Sequence, residues 1–128
     1  MKRVTGIGGI FFKAQDPQKL REWYRRHLGF ELESWGGAVF KWNEPPTPDG
    51  ATVWSLMPDS NDYFAPSSAR FMVNYRVDDL DALLQVLRDE GCEVDERTET
   101  SAELGKFGWV MDPEGNRVEL WEPPKPAA

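Results

Sequence analysis

The chain has 128 residues, one cysteine, and 15 basic against 22 acidic side chains for a formal net charge of −7. One domain is expected at this length, with a core large enough to fold without metal or disulfide staples. The acidic balance repels phosphate backbones and anionic membranes, so no nucleic acid and no membrane is expected as partner. Cys92 has no cysteine to pair with, which fits a packing role in a reducing, cytoplasmic setting.

Lys2 and Arg3 before the apolar run Val4 to Phe12 superficially copy a secretory signal. Gly6, Gly8 and Gly9 interrupt that run, it ends at Lys13, and no small-residue cleavage site follows, so a buried strand is the better reading. The glycines resemble a phosphate loop but open no helix, and close backbone approach explains them better. Asp16-Pro17 then supplies a helix cap and a first-turn proline. Leu20, Trp23, Tyr24 and Leu28 recur at helical spacing until Gly29. His27, near the end of this helix, reads as a charge favourable at a helix C-terminus. Phe30 to Ser34 and Ala38 to Trp42 read as short strands about a Gly36-Gly37 turn. The proline-rich loop Asn43 to Gly50 precedes a strand from Ala51 to Met57.

Asp59 to Ser68 is polar and turn-rich, with Tyr63 and Phe64 inside it as a candidate flap. Beyond it the pattern restarts. A strand from Arg70 to Val77 leads to the cap Asp78-Asp79. Leu80, Leu83, Leu84 and Leu87 then share a helical face that stops at Gly91. Cys92 to Arg97 reads as the next strand. The landmarks Asp16, Leu20, Gly29 and Pro58 correspond to Asp79, Leu83, Gly91 and Pro123, an internal repeat of strand, helix and three strands. The division is module one at 1–58, a linker at 59–68, module two at 69–123 and a Pro-rich tail at 124–128. The expected fold is α+β: two tandem βαβββ modules forming a curved mixed sheet, with helices on the convex side and a concave cup for a ligand.

The clearest hairpin lies in Phe107 to Glu122, where Pro113 and Gly115 supply turn geometry between two apolar runs. Counting by twos puts Arg117, Glu119 and Trp121 on one face and Val118 and Leu120 on the other. A lone acid on an open sheet face is ordinarily solvated.

Three segments, IFFKAQDPQKLREWYRRHLGF, YRVDDLDALLQVLRDEGCEV and FGWVMDPEGNRVELWEP, resemble the vicinal oxygen chelate superfamily. That superfamily includes glyoxalase I, extradiol dioxygenases, fosfomycin-resistance enzymes and bleomycin-binding resistance proteins. The resemblance implies four pseudo-symmetric strand positions that hold metal ligands in metal-dependent members. Counted from the caps and the terminal prolines, these fall on Gly9, Trp54, Met72 and Glu119. Glu119 alone among them offers a hard donor, so no metal and no cofactor is expected.

The same counting assigns Phe11, Lys13, Thr52, Trp54, Leu56, Asn74, Arg76, Arg117, Glu119 and Trp121 to the concave face. The candidate ligand-binding set is Phe11, Trp54, Met72, Asn74, Glu119 and Trp121. This lining suits an aromatic or apolar small molecule. Three functions stay open under the resemblance: a non-catalytic binder similar to the bleomycin-resistance branch, a glyoxalase-like or dioxygenase-like enzyme (lyase, oxidoreductase or transferase) using Glu119 as acid or base or in an atypical metal site, and a structural or regulatory partner domain. The resemblance also implies a homodimer, with the cup formed across two chains or within one.

Overall fold

The computed structural model describes residues 3–41 and 51–124, and of His27 and Leu28 the backbone only. The expectations for the His27 side chain, Trp42, the loop from Asn43 to Gly50 and residues 125–128 lie outside the described residues. In chain order the elements are β1 (Val4–Ala14), α1 (Pro17–Leu28), β2 (Ala38–Lys41), β3 (Ala51–Pro58), β4 (Phe71–Val77) and α2 (Leu80–Asp89). Then come β5 (Glu93–Val94), β6 (Glu99–Ser101), β7 (Gly105–Met111) and β8 (Arg117–Glu122).

Both helices start where an aspartate can take an orphan amide. The Asp16 carboxylate accepts from the Lys19 amide and the Asp79 carboxylate from the Ala82 amide, each at 3.1 Å. Leu80, Leu83 and Leu84 then bury one face of α2 against Val77 of β4 and Leu120 of β8. Each such side chain contributes about 1.5–3 kcal/mol on leaving water. On the other half of the same sheet face, Trp54 and Leu56 of β3 pack with Ala14, Ala38 and the α1 residues Leu20 and Tyr24. No helix among the described residues is long and apolar enough to cross a membrane.

The strands join in one mixed sheet in the order β2-β3-β1-β4-β8-β7-β5, with β6 pairing off β7. At its centre β1 and β4 run antiparallel, while β3 lies parallel to β1 and β8 parallel to β4. An approximate two-fold relation inside the chain therefore carries module one onto module two. The Gly9–Asn74 pair maps onto Met72–Phe11, and the Asn74–Glu119 pair maps onto Phe11–Ser55. The fold is α+β with both helices on one face, and the cup opens on the other within a single chain.

Three local expectations fail. Phe30 to Ser34 forms no strand, because a turn closed by Glu33 and Gly37 leaves Phe30 free to pack edge-on against Trp54. The expected strand from Cys92 to Arg97 is reduced to Glu93–Val94, and β6 takes up pairing later, at Glu99. Cys92 is exposed and does not pack.

Candidate functional site

The hairpin turn fixes the site. Asp112 accepts hydrogen bonds from the amides of Glu114 and Asn116, and Gly115 takes a φ of 83°, which glycine adopts without strain. The turn sets Met111 opposite Arg117, so two residues further along each strand Trp109 faces Glu119. On the other side of β8, Asn74 of β4 is the partner of Glu119. Three strands thus bring an indole, a carboxylate and an amide into one row on the helix-free face.

Glu119 is not solvated as an acid on an open sheet face would be. It is 1% exposed and Asn74 is 2% exposed. Three donors converge on the carboxylate: Asn74 Nδ2 reaches Oε1 at 2.6 Å, while Trp109 Nε1 at 2.9 Å and the Tyr63 hydroxyl at 2.5 Å both reach Oε2. Burial pushes the Glu119 pKa above the ordinary carboxyl value, opposed by the hydrogen bonds from Tyr63, Asn74 and Trp109. Burial, and then the Glu119 charge, also drive the Tyr63 phenol well above its usual pKa, so it stays a donor. Tyr63 arrives from the linker, anchored through its amide on the Asn61 side chain, while its neighbour Phe64 is wholly buried among Phe11, Met72 and Trp109.

Basic groups surround this row without entering it. Arg117 is buried, lies 4.7 Å from the Trp109 ring and pairs with Asp95 at 3.1 Å. A hydrogen bond from the Arg97 amide, followed by the one from Arg117, lowers the Asp95 pKa. Arg97 lies over the same indole and Lys13 over the Phe64 ring.

Beside the row is a cavity of about 490 Å³. Its floor is Gly8, Asn74 and Glu119; its walls are Phe11, Val53, Ser55, Met57, Tyr63, Phe107 and Trp121; Trp35, Glu103 and Leu104 stand at the mouth. Phe107 and Trp121 stack with planes 10° apart, and Trp121 Nε1 is held by the Leu104 carbonyl at 2.7 Å. A side chain at Gly8 would put its Cβ 2.1 Å from Asn74 Oδ1 and 2.9 Å from Trp121.

Of the residues expected in the cup, Phe11, Asn74, Glu119 and Trp121 line the cavity, and Met72 shares their face beneath Phe64. Trp54 does not. Its side chain packs on the α1 side with Tyr24 and Phe30, and Leu56 accompanies it. The count from the terminal prolines fails because β3 runs through Pro58, which pairs with Ala14, whereas β8 ends before Pro123. A one-residue offset turns every side chain of a strand to the other face. The two-fold relation makes Ser55 the counterpart of Glu119, and Val53, Ser55 and Met57 face the cavity.

Trp109 was missing from the expected set. Pairing the hairpin outward from Gly115 would have put it opposite Glu119. Glu103, Leu104 and Trp35 come from turns, where no periodicity reports which way a side chain faces.

The positions that would hold a divalent metal are thus Gly9, Ser55, Met72 and Glu119, and they do not fit one. They offer a hydroxyl, a thioether and a carboxylate whose oxygens already accept three protein hydrogen bonds. Among the described residues no group of three or more His, Cys, Asp or Glu could hold a metal ion.

Residues 6–120 match the model of a family described as the Glyoxalase/Bleomycin resistance protein/Dioxygenase superfamily. No curated protein matches the chain. Among solved structures, the methylmalonyl-CoA epimerase from Mycobacterium tuberculosis is similar at 22% identity and a TM-score of 0.66, over 98% of this chain and 92% of that one. The Streptomyces coelicolor methylmalonyl-CoA epimerase in complex with 2-nitronate-propionyl-CoA is 21% identical with a TM-score of 0.68, over 94% and 98%. A Vibrio splendidus 12B01 member of the glyoxalase/bleomycin resistance protein/dioxygenase superfamily is 12% identical with a TM-score of 0.58, over 91% and 97%. At these identities the structural likeness concerns the fold.

Proposed function

The chain belongs to the glyoxalase/bleomycin resistance protein/dioxygenase superfamily, and on that premise we propose that it is a small-molecule-binding protein whose cup takes an aromatic or apolar compound. The observation that carries this reading is the lining: a stacked Phe107–Trp121 pair, Phe11, Val53 and Met57 around a floor of Asn74 and Glu119. A flat apolar body gains by leaving water against such walls, and the few polar groups orient it. Tryptophan fluorescence should be quenched on titration with aromatic compounds. Trp121→Ala should weaken binding by about 1–3 kcal/mol as a stacked anchor, while Trp54→Ala, on the opposite face, should leave the affinity of the folded protein unchanged. Equal losses in both variants would move the site elsewhere.

A second reading is favoured by the burial of Glu119, which moves its pKa upward, the direction that acid or base work at neutral pH calls for. Under it, a bound ligand with an acidic C–H would exchange that hydrogen for deuterium in heavy water, and Glu119→Gln would abolish the exchange. No exchange with any bound ligand would leave the binder alone.

A homodimer forms part of the proposal. Ile7, Ile10 and Phe71 stand exposed on the helix-bearing face, along the β1–β4 seam. The internal two-fold makes that seam nearly self-complementary, as an isologous contact requires. Sedimentation should report a dimer that Ile10→Asp dissociates.

A further inference from the structure

We propose that the ligand of this cup is a cation: a protonated amine carried on an aromatic or extended apolar body, with the ammonium at the floor between Glu119 and Asn74. This rests on the binding reading above and narrows it.

The unfilled hydrogen-bonding capacity of the floor accepts. A carboxylate has about four lone-pair positions. Glu119 uses two at Oε2, for Tyr63 and Trp109, and one at Oε1, for Asn74, so Oε1 can take one more donor. Among the described residues Asn74 Oδ1 is buried with no hydrogen-bond partner, and it lies over Gly8, which itself lines the cavity. A buried acceptor left unpaired is destabilising, and a ligand N–H reaching it would relieve that cost. An ammonium brings three donors and no acceptor.

The charges of the lining agree. Glu119 at the floor and Glu103 at the mouth are its ionisable carboxylates, and among the described residues no Lys or Arg lines it. Lys13, Arg97 and Arg117 share the sheet face but lie over Phe64 and Trp109 outside the cavity. An anionic ligand would be desolvated between two like charges, whereas a cation at the floor meets Glu119, is attracted through the mouth by Glu103, and lies among the aromatic walls of Phe11, Phe107 and Trp121. The polar and aromatic parts of the cup therefore select the same class of molecule.

The test is calorimetric titration at neutral pH with three probes that share one ring system: 2-naphthylmethylamine, 2-naphthylmethanol and 2-naphthoate. The amine should bind at least about 10-fold tighter than the alcohol, the increment of a charge-assisted over a neutral hydrogen bond, and the naphthoate weakest. Glu119→Gln should bring the amine down to the affinity of the alcohol. Should that buried substitution prevent folding, Glu103→Gln, at an exposed position, should reduce the amine preference about 2-fold or more and weaken its salt dependence. Alcohol or naphthoate binding as tightly as the amine would overturn the inference while sparing the binding reading. Failure of all three probes to bind would overturn both.

Discussion

The two halves of the sheet share a backbone plan and differ in what they place on the cup side. Around Asn74 and Glu119 module two builds a buried polar row closed by Trp109, whereas the equivalent pair in module one is Phe11 and Ser55, with no ionisable group. The scaffold is repeated but the chemistry is not. One half therefore supplies the polar floor with the stacked Phe107–Trp121 wall and the other an uncharged wall of Phe11, Val53, Ser55 and Met57, as a site for an asymmetric ligand requires.

The sharpest way to break this division is at the two tryptophans. Trp109→Ala and Trp54→Ala should each cost about 3–5 kcal/mol, since both remove a large buried ring. Their consequences for Glu119 should differ. In urea melts across pH, wild-type stability carries a contribution that falls as pH rises, because above the ordinary carboxyl value of 4.5 the folded chain holds a proton on Glu119 that the unfolded chain has lost. Trp109→Ala removes a donor to the ionised form, raises the folded pKa further and should extend that fall to higher pH; Trp54→Ala should leave it in place. A smaller effect is expected for Tyr63→Phe, about 1–2 kcal/mol at neutral pH, with the fall likewise extended upward. The smallest is Ser55→Ala, expected within about 0.5 kcal/mol. A loss for Ser55→Ala as large as that for Tyr63→Phe would mean that the first half also carries a polar network.

Much of the scaffold could be read from local signals. Asp16 and Asp79 cap the helices because an aspartate before an amphipathic run has few better uses, and the turn at Gly115 fixes the register of β7 and β8 by itself. The face of Glu119 was legible for that reason. The face of Trp54 was not, because β3 pairs in parallel with β1 and no tight turn ties their register. Counting from Pro58 assumed that both modules end at equivalent places. The state of Glu119 was hidden as well: alternation says which way a side chain points, not what lies above it. Here Tyr63 of the linker caps it while Phe64 is buried beside Trp109, and the burial of both depends on contacts with residues from distant parts of the chain.

The bare Cα of Gly8 ties the two kinds of surface in the cup together. An added methyl there would press on an amide oxygen and an indole edge at once, and neither is the loose end of a flexible chain. The polar floor and the aromatic wall cannot therefore be tuned separately from β1: any substitution at Gly8 shifts both, and with them the ligand's anchor and its seat. Changes of preference that leave the floor standing have to come from the other rim, at Val53, Ser55 and Met57 or at Glu103 and Leu104, where side chains border the cavity without supporting Glu119.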